Sequence, residues 1–176
     1  MNPSFVAGRL LDAIPVTSIE DLQYLDEIAC QRGVLVRDGR LDGADARLVI
    51  HGNRAIVTIS SETWSIHRRR FSVAHELGHF ELHRDAVLLQ TCTSEDIAWE
   101  FQHSTPDLET QANAFASEFL MPERYFADKC QGEPSLDTIA ELEDLFNVSL
   151  TAASIRFASF CEEPIVLIFT QDRRIK

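Results

Sequence analysis

Residues 75–79 read His75-Glu76-Leu77-Gly78-His79, two imidazoles and a carboxylate at a spacing that suits hydrolytic metal chemistry. On a helix, residues four apart share a face, so both histidines stand about 6 Å apart along the axis and can hold one zinc ion. Glu76 can stay off the metal and take a proton from an attacking water, the work of a general base. The pattern fixes three positions of five, and on an ordinary helix the same residues would be packed histidines and a solvated charge.

A hydrolytic zinc takes three protein donors and keeps a fourth position open, so a third ligand is required. His83 is four residues past His79, but on one straight helix it stands about 12 Å from His75, too far to share an ion with bonds of about 2 Å. Phe80-Glu81-Leu82 follows the motif where enzymes with three ligating histidines carry a glycine-containing bend. A carboxylate on a second helix is the alternative. Glu109 stands in a stretch where Ala112, Phe115, Ala116 and Phe119 can bury the helix closely against a neighbour. Glu118, nine residues on, projects from nearly the opposite side. Either carboxylate can supply the donor, and both can equally be surface charges. Asn113 and Asp85 are candidates to orient the imidazoles through their other nitrogens, with packing or capping as the plainer role for each. His103, His83, His67 and Tyr125 are conceivable oxyanion donors, but each is more plainly a surface or packed residue, and none is assigned.

The elements around these residues follow from apolar periodicity. Apolar positions 19, 22, 25, 28 and 29 predict a helix over residues 19–30, with Thr17 or Ser18 as cap and Gly33 as stop. Residues 34–36, 46–50 and 55–59 are β-rich, and the last two flank a Gly52-Asn53 tip, which predicts an antiparallel hairpin. The motif helix is expected over residues 69–83 and a second helix over residues 107–120, with Pro122 just beyond. Between them, residues 84–106 read as an irregular connection with a short helix at most. Residues 135–146 form an amphipathic helix, Asn147-Val148 a turn, and Ser149 caps a helix to about Phe160, a tight pair of helix-turn-helix kind. The run Ile165-Val166-Leu167-Ile168-Phe169 suits a buried strand.

The chain of 176 residues is long enough for one domain, or one plus a small appendage, with a sizeable core. Its 28 acidic against 16 basic residues give a net charge of −12, which repels nucleic acid at long range. The one dense basic run, His67-Arg68-Arg69-Arg70, either lines a cleft or, more simply, pairs with the abundant carboxylates. Arg156 is the only cation of the segment 149–157, too little charge for an autonomous DNA-reading helix. Cys30, Cys92, Cys130 and Cys161 lie far apart with no Cys-x-x-Cys pair and read as four separate thiols. No stretch approaches a membrane helix, and Met1-Asn2-Pro3-Ser4-Phe5 lacks a secretion signal, so a cytoplasmic protein without membrane partners is expected.

Two blocks in order carry a resemblance. Arg69-Arg70-Phe71-Ser72-Val73-Ala74-His75-Glu76-Leu77-Gly78-His79, and later Glu109-Thr110-Gln111-Ala112-Asn113-Ala114-Phe115-Ala116 with Leu120-Met121-Pro122, resemble the ImmA/IrrE family of metallopeptidases over roughly residues 15–125. The resemblance implies zinc held by His75, His79 and Glu109, with Glu76 as catalytic base. It also implies an α+β fold, a zincin-like core over residues 1–131 in which a small antiparallel sheet packs on two metal-bearing helices. Residues 132–176 would then form a helix-turn-helix-like subdomain with a C-terminal strand. Members of the family commonly cleave helix-turn-helix transcriptional repressors, which derepresses stress-response or mobile-element genes. The same residues also permit a zinc-bound sensing or protein- or DNA-binding module with little peptidase activity.

Overall fold

The computed structural model describes residues 2–14, 18–63, 65–84, 89–92, 108–131, 134–171 and 174–175. The first helix, α1 (Pro3–Ala13), has legible start signals: Asn2 Oδ1 accepts from the Phe5 amide at 3.3 Å, and Pro3 occupies the first turn, where its missing N–H costs nothing. Ala7, Leu10 and Leu11 form its buried stripe.

The single helix expected over residues 19–30 is instead a 3-10 turn (Glu20–Gln23) and α2 (Leu25–Gln31), broken at Tyr24. Its apolar residues recur every three positions at 19, 22, 25 and 28, which suits three residues per turn, and Leu22, Leu25 and Ile28 are all buried. The carbonyls of Leu22 and Gln23 leave the helical ladder to accept from Arg70. Gly33 ends α2 at a φ of 85°.

Strands β1 (Val34–Gly39), β2 (Ala46–His51), β3 (Arg54–Ser60) and β4 (Leu89–Cys92) form one sheet in the order β1-β3-β2-β4. The β2–β3 hairpin turns at Gly52-Asn53, with His51 opposite Arg54 and Gly52 at a φ of 60°. The sheet is not wholly antiparallel as expected: β1 runs parallel to β3. Residues 40–45 join β1 to β2 across two strand spacings, about 10 Å, which six residues easily span, and β3 then inserts between them. Ala55 N–H donating to Gly33 O at 3.0 Å and Ser61 N–H donating to Gly39 O at 2.8 Å fasten both ends of the parallel pair. The central strand carries the unbroken apolar run, with Ala55, Val57 and Ile59 buried. β4 was not anticipated in the stretch expected to be irregular; it pairs with the free edge of β2, Val49 opposite Leu89 and Ala46 opposite Cys92. The rest of that stretch, with Asp85, Trp99 and His103, lies outside the described residues, as does Thr17.

The motif helix α3 (Ile66–His83) starts three residues before its expected position because Ser65 Oγ caps it, accepting from the Arg68 amide at 3.3 Å. It packs on β2 and β3 and, most extensively, on α4 (Leu108–Leu120), whose Ala112, Phe115, Ala116 and Phe119 are fully buried. The basic run is engaged with the fold. Arg68 pairs with Asp45 at 2.7 Å, and Arg69 with Asp26 at 2.8 Å and Asp38 at 3.1 Å. Arg70, 4 % exposed, donates to the carbonyls of Leu22 (3.1 Å), Gln23 (3.4 Å), Phe146 (3.5 Å) and Asn147 (2.9 Å). Its positive charge thus sits against the carbonyl ends of two helical segments, where the backbone dipoles favour a cation.

After α4 come the one-turn α5 (Glu123–Phe126), a 3-10 turn, and the pair α6 (Leu136–Phe146) and α7 (Leu150–Phe160). Ser135 and Ser149 cap the pair, accepting from the Thr138 and Ala152 amides, and Asn147 makes the turn in a left-handed conformation at φ 50°. One apolar cluster runs from Ala7 and Leu11 through the sheet and α3 to Phe126, Phe146 and Phe157, so α6 and α7 share the core of the rest. The expected strand over residues 165–169 is absent. Val166 and Ile168 are 84 % and 67 % exposed, because only alternate residues face the protein and no described strand lies alongside. The terminal strands are instead β5 (Thr170–Gln171) and β6 (Arg174–Ile175), a separate antiparallel pair.

Candidate metal centre

α3 delivers His75 and His79 from one face, both wholly buried, and the first turn of α4 delivers Glu109 against them. Their close approach depends on Gly78 and on the alanines of α4: a Cβ on Gly78 would stand only 3.0 Å from Phe115 Cδ1. His75 Nε2 and His79 Nε2 are 3.1 Å apart, and Glu109 Oε2 lies 3.1 Å from the first and 3.3 Å from the second. The edge of a tetrahedron around zinc with bonds of 2.0–2.1 Å is about 3.3 Å, so these three donors have the spacing of one face of that tetrahedron. Two nitrogens and one carboxylate oxygen also match the donor set of zinc hydrolases. Among the described residues, this is the group of histidine, cysteine and acidic side chains that can hold a metal ion.

Electrostatics favour the ligating form of the carboxylate. Burial pushes the Glu109 pKa upward, but hydrogen bonds from His75 and His79 outweigh it and hold the group at about 2. Glu76, the residue expected to act as base, is completely buried beside the first histidine.

The far nitrogens of both imidazoles are also met. His75 Nδ1 is 2.9 Å from Asn113 Oδ1, one turn along α4 from Glu109, so Asn113 stands in the orienting position rather than in the plainer packing or capping role. His79 Nδ1 is 3.2 Å from His83 Nδ1, and His83 Nε2 is 3.4 Å from Gln111 Oε1. Burial holds the His83 pKa below the usual imidazole value. His83 stays outside the three-donor group, as the straight-helix spacing requires. Gln111 carries no motif signal of its own; only its position two residues past Glu109, beside a helix with histidines at i, i+4 and i+8, points to it.

Glu118, the rival carboxylate, faces away from the metal group. It forms a close ion pair with Arg156 of α7 and accepts from the Glu123 amide at 3.1 Å. Arg156 further donates to Met121 O at 3.1 Å and lies over the Phe160 ring. Of the conceivable oxyanion donors, Tyr125 lies under the Arg124 guanidinium and His67 is half-buried in the first turn of α3.

No helix among the described residues is long and apolar enough to cross a membrane. No curated protein matches the chain. Among solved structures, a Mycobacterium tuberculosis transcriptional regulator aligns with a TM-score of 0.58 and 22 % identity, over 92 % of this chain and 48 % of its own. The chain thus spans about half the length of that protein, and the likeness is one of fold. The profile of the Peptidase_M78 family, described as the IrrE N-terminal-like domain, matches residues 30–158. A match over well more than half of the chain, holding both helices of the metal centre, places this protein in the IrrE N-terminal-like family of peptidases, the family its two sequence blocks resemble.

Proposed function

We propose that the protein is a zinc-dependent peptidase with a zincin-like core, His75, His79 and Glu109 holding the ion. The observation that carries this reading is the triangle of donor atoms 3.1, 3.1 and 3.3 Å on a side, contributed by two helices that meet at a glycine. Bound zinc supplies a Lewis acid that acidifies water and polarises a carbonyl. The chain's own residues do the rest. Glu76 accepts the proton of the attacking water on its carboxylate and passes it to the departing amine nitrogen, so that one water and one peptide bond become a carboxylic acid and an amine. His75, Glu76 and His79 are wholly buried, and the low polarity around them strengthens the interactions they make.

The substrate, by the family resemblance, is a helix-turn-helix transcriptional repressor whose cleavage derepresses stress-response or mobile-element genes. The α6–α7 pair serves as a helix-turn-helix-like subdomain packed on the peptidase core. An autonomous DNA-binding role is disfavoured, because the one cation of α7, Arg156, is engaged by Glu118 and Met121 O. The test is incubation of zinc-loaded protein with the repressor encoded nearest to it. A fragment that appears with wild type and not with Glu76→Gln, at equal zinc stoichiometry, supports peptidase action; equal cleavage by both refutes Glu76 as the base, and no cleavage by either favours zinc-bound sensing.

A further inference from the structure

We infer that His83 and Gln111 form a positioning relay that sets which nitrogen of His79 is free to bind the metal; the inference rests on the zinc reading above. An imidazole that ligates through Nε2 must carry its proton on Nδ1. For His79 that proton points at His83 Nδ1, 3.2 Å away, and only a bare nitrogen can receive it. The proton of neutral His83 is therefore on Nε2, where it needs an acceptor in a site that is nearly closed to solvent. Gln111 Oε1, 3.4 Å away on α4, is that acceptor.

The direction of each hydrogen bond follows from the next. If Gln111 offered no oxygen, His83 would gain by moving its proton to Nδ1. His79 would then have to accept there and carry its own proton on Nε2, the atom that faces His75 and Glu109. The metal atom and the relay would compete for one lone pair. His75 Nδ1 meets Asn113, and His79 Nδ1 meets His83, which in turn meets Gln111, so both lines reach α4. The helix that contributes the carboxylate ligand thus also sets the protonation pattern of the two histidines on its partner.

The test compares zinc dissociation constants, by chelator competition, for wild type, Gln111→Leu, Gln111→Glu, His83→Leu and the double Leu variant. Thermal unfolding of each metal-free protein serves as the folding control. His83→Leu is expected to weaken zinc binding about ten- to a hundred-fold, and Gln111→Leu about ten-fold. Gln111→Glu, which keeps an acceptor for His83 Nε2–H, is expected to stay within about twofold of wild type, and the double variant to bind no worse than His83→Leu. Equal weakening by Leu and Glu at position 111, or additive losses in the double variant, would overturn the relay. Should His83→Leu not fold, the two Gln111 variants decide alone. Failure of the zinc reading looks different: wild type and Glu109→Ala would then bind zinc equally poorly.

Discussion

Gly78→Ala tests whether the metal centre depends on the closeness of α3 and α4. An added Cβ would meet Phe115 Cδ1 at 3.0 Å and Phe115 Cβ and Cγ at 3.2 Å. Ordinary carbon contacts lie at about 3.5–4.0 Å, so α4 must withdraw by roughly 0.5 Å or the Phe115 ring must turn. Phe115 is fully buried and stacked on Phe119 with centroids 5.7 Å apart, which leaves the ring little room. Overpacking of this kind costs about 1–3 kcal/mol, and the better helix propensity of alanine returns about 1 kcal/mol. The net loss of stability should therefore be modest, up to about 2 kcal/mol in urea unfolding of the metal-free protein. Zinc sites tolerate only about 0.2 Å in their bonds, and Glu109 rides on the helix that moves, so zinc affinity should fall about ten-fold or more. Adding Phe115→Ala, which removes Cγ and Cδ1 and leaves only the Cβ contact, should relieve most of the clash and restore part of that affinity, at its own cost in packing. A Gly78→Ala protein that binds zinc within about threefold of wild type would refute the argument that glycine sets the helix spacing.

The two carboxylates of α4 should separate cleanly by assay. Glu109→Ala should abolish tight zinc binding, whereas Glu118→Ala, which strands the half-buried Arg156, should cost about 2 kcal/mol in urea unfolding and leave zinc affinity unchanged. Arg70→Met should destabilise by at least about 3 kcal/mol, since it leaves backbone carbonyls in two segments without their charged donor; Arg70→Lys should recover only part, because an ammonium lacks the spread of donors with which the guanidinium reaches four carbonyls. Burial pushes the Cys130 thiol up to about 11, so at pH 8 a thiol reagent should label exposed Cys30 in the native protein and Cys130 only after unfolding, as peptide mapping would show. Rapid native labelling of Cys130 would contradict its burial.

Much of the candidate site was legible because helix periodicity places His75 and His79 on one face and sets His83 a further turn along. The choice of Glu109 over Glu118 was not legible from spacing alone. What decides it is Arg156, thirty-eight residues after Glu118 and on another helix, whose guanidinium claims the rival carboxylate. The hairpin, the Ser149 cap and the α6–α7 turn were readable from local chemistry, since cap and turn residues act within three or four positions. α1 carries equally legible signals in Asn2, Pro3 and the apolar residues at 7, 10 and 11, although no helix is predicted there above. The parallel pairing of β1, the strand β4 and the exposure of Val166 and Ile168 depend on which backbone lies alongside, and no local residue records that.

The placement of β3 has a consequence for how the chain reaches this structure. β1 and β2 are consecutive but do not touch, and neither has an inner partner until residues 54–60 exist. The two-residue tip lets β2 and β3 zip locally and fast, whereas the β1–β3 pairing closes a loop of about twenty residues and must follow. The sheet thus assembles by a preformed hairpin landing on a waiting strand, and β1 remains an open edge during synthesis until the ribosome has released the residue that donates to Gly33 O, Ala55.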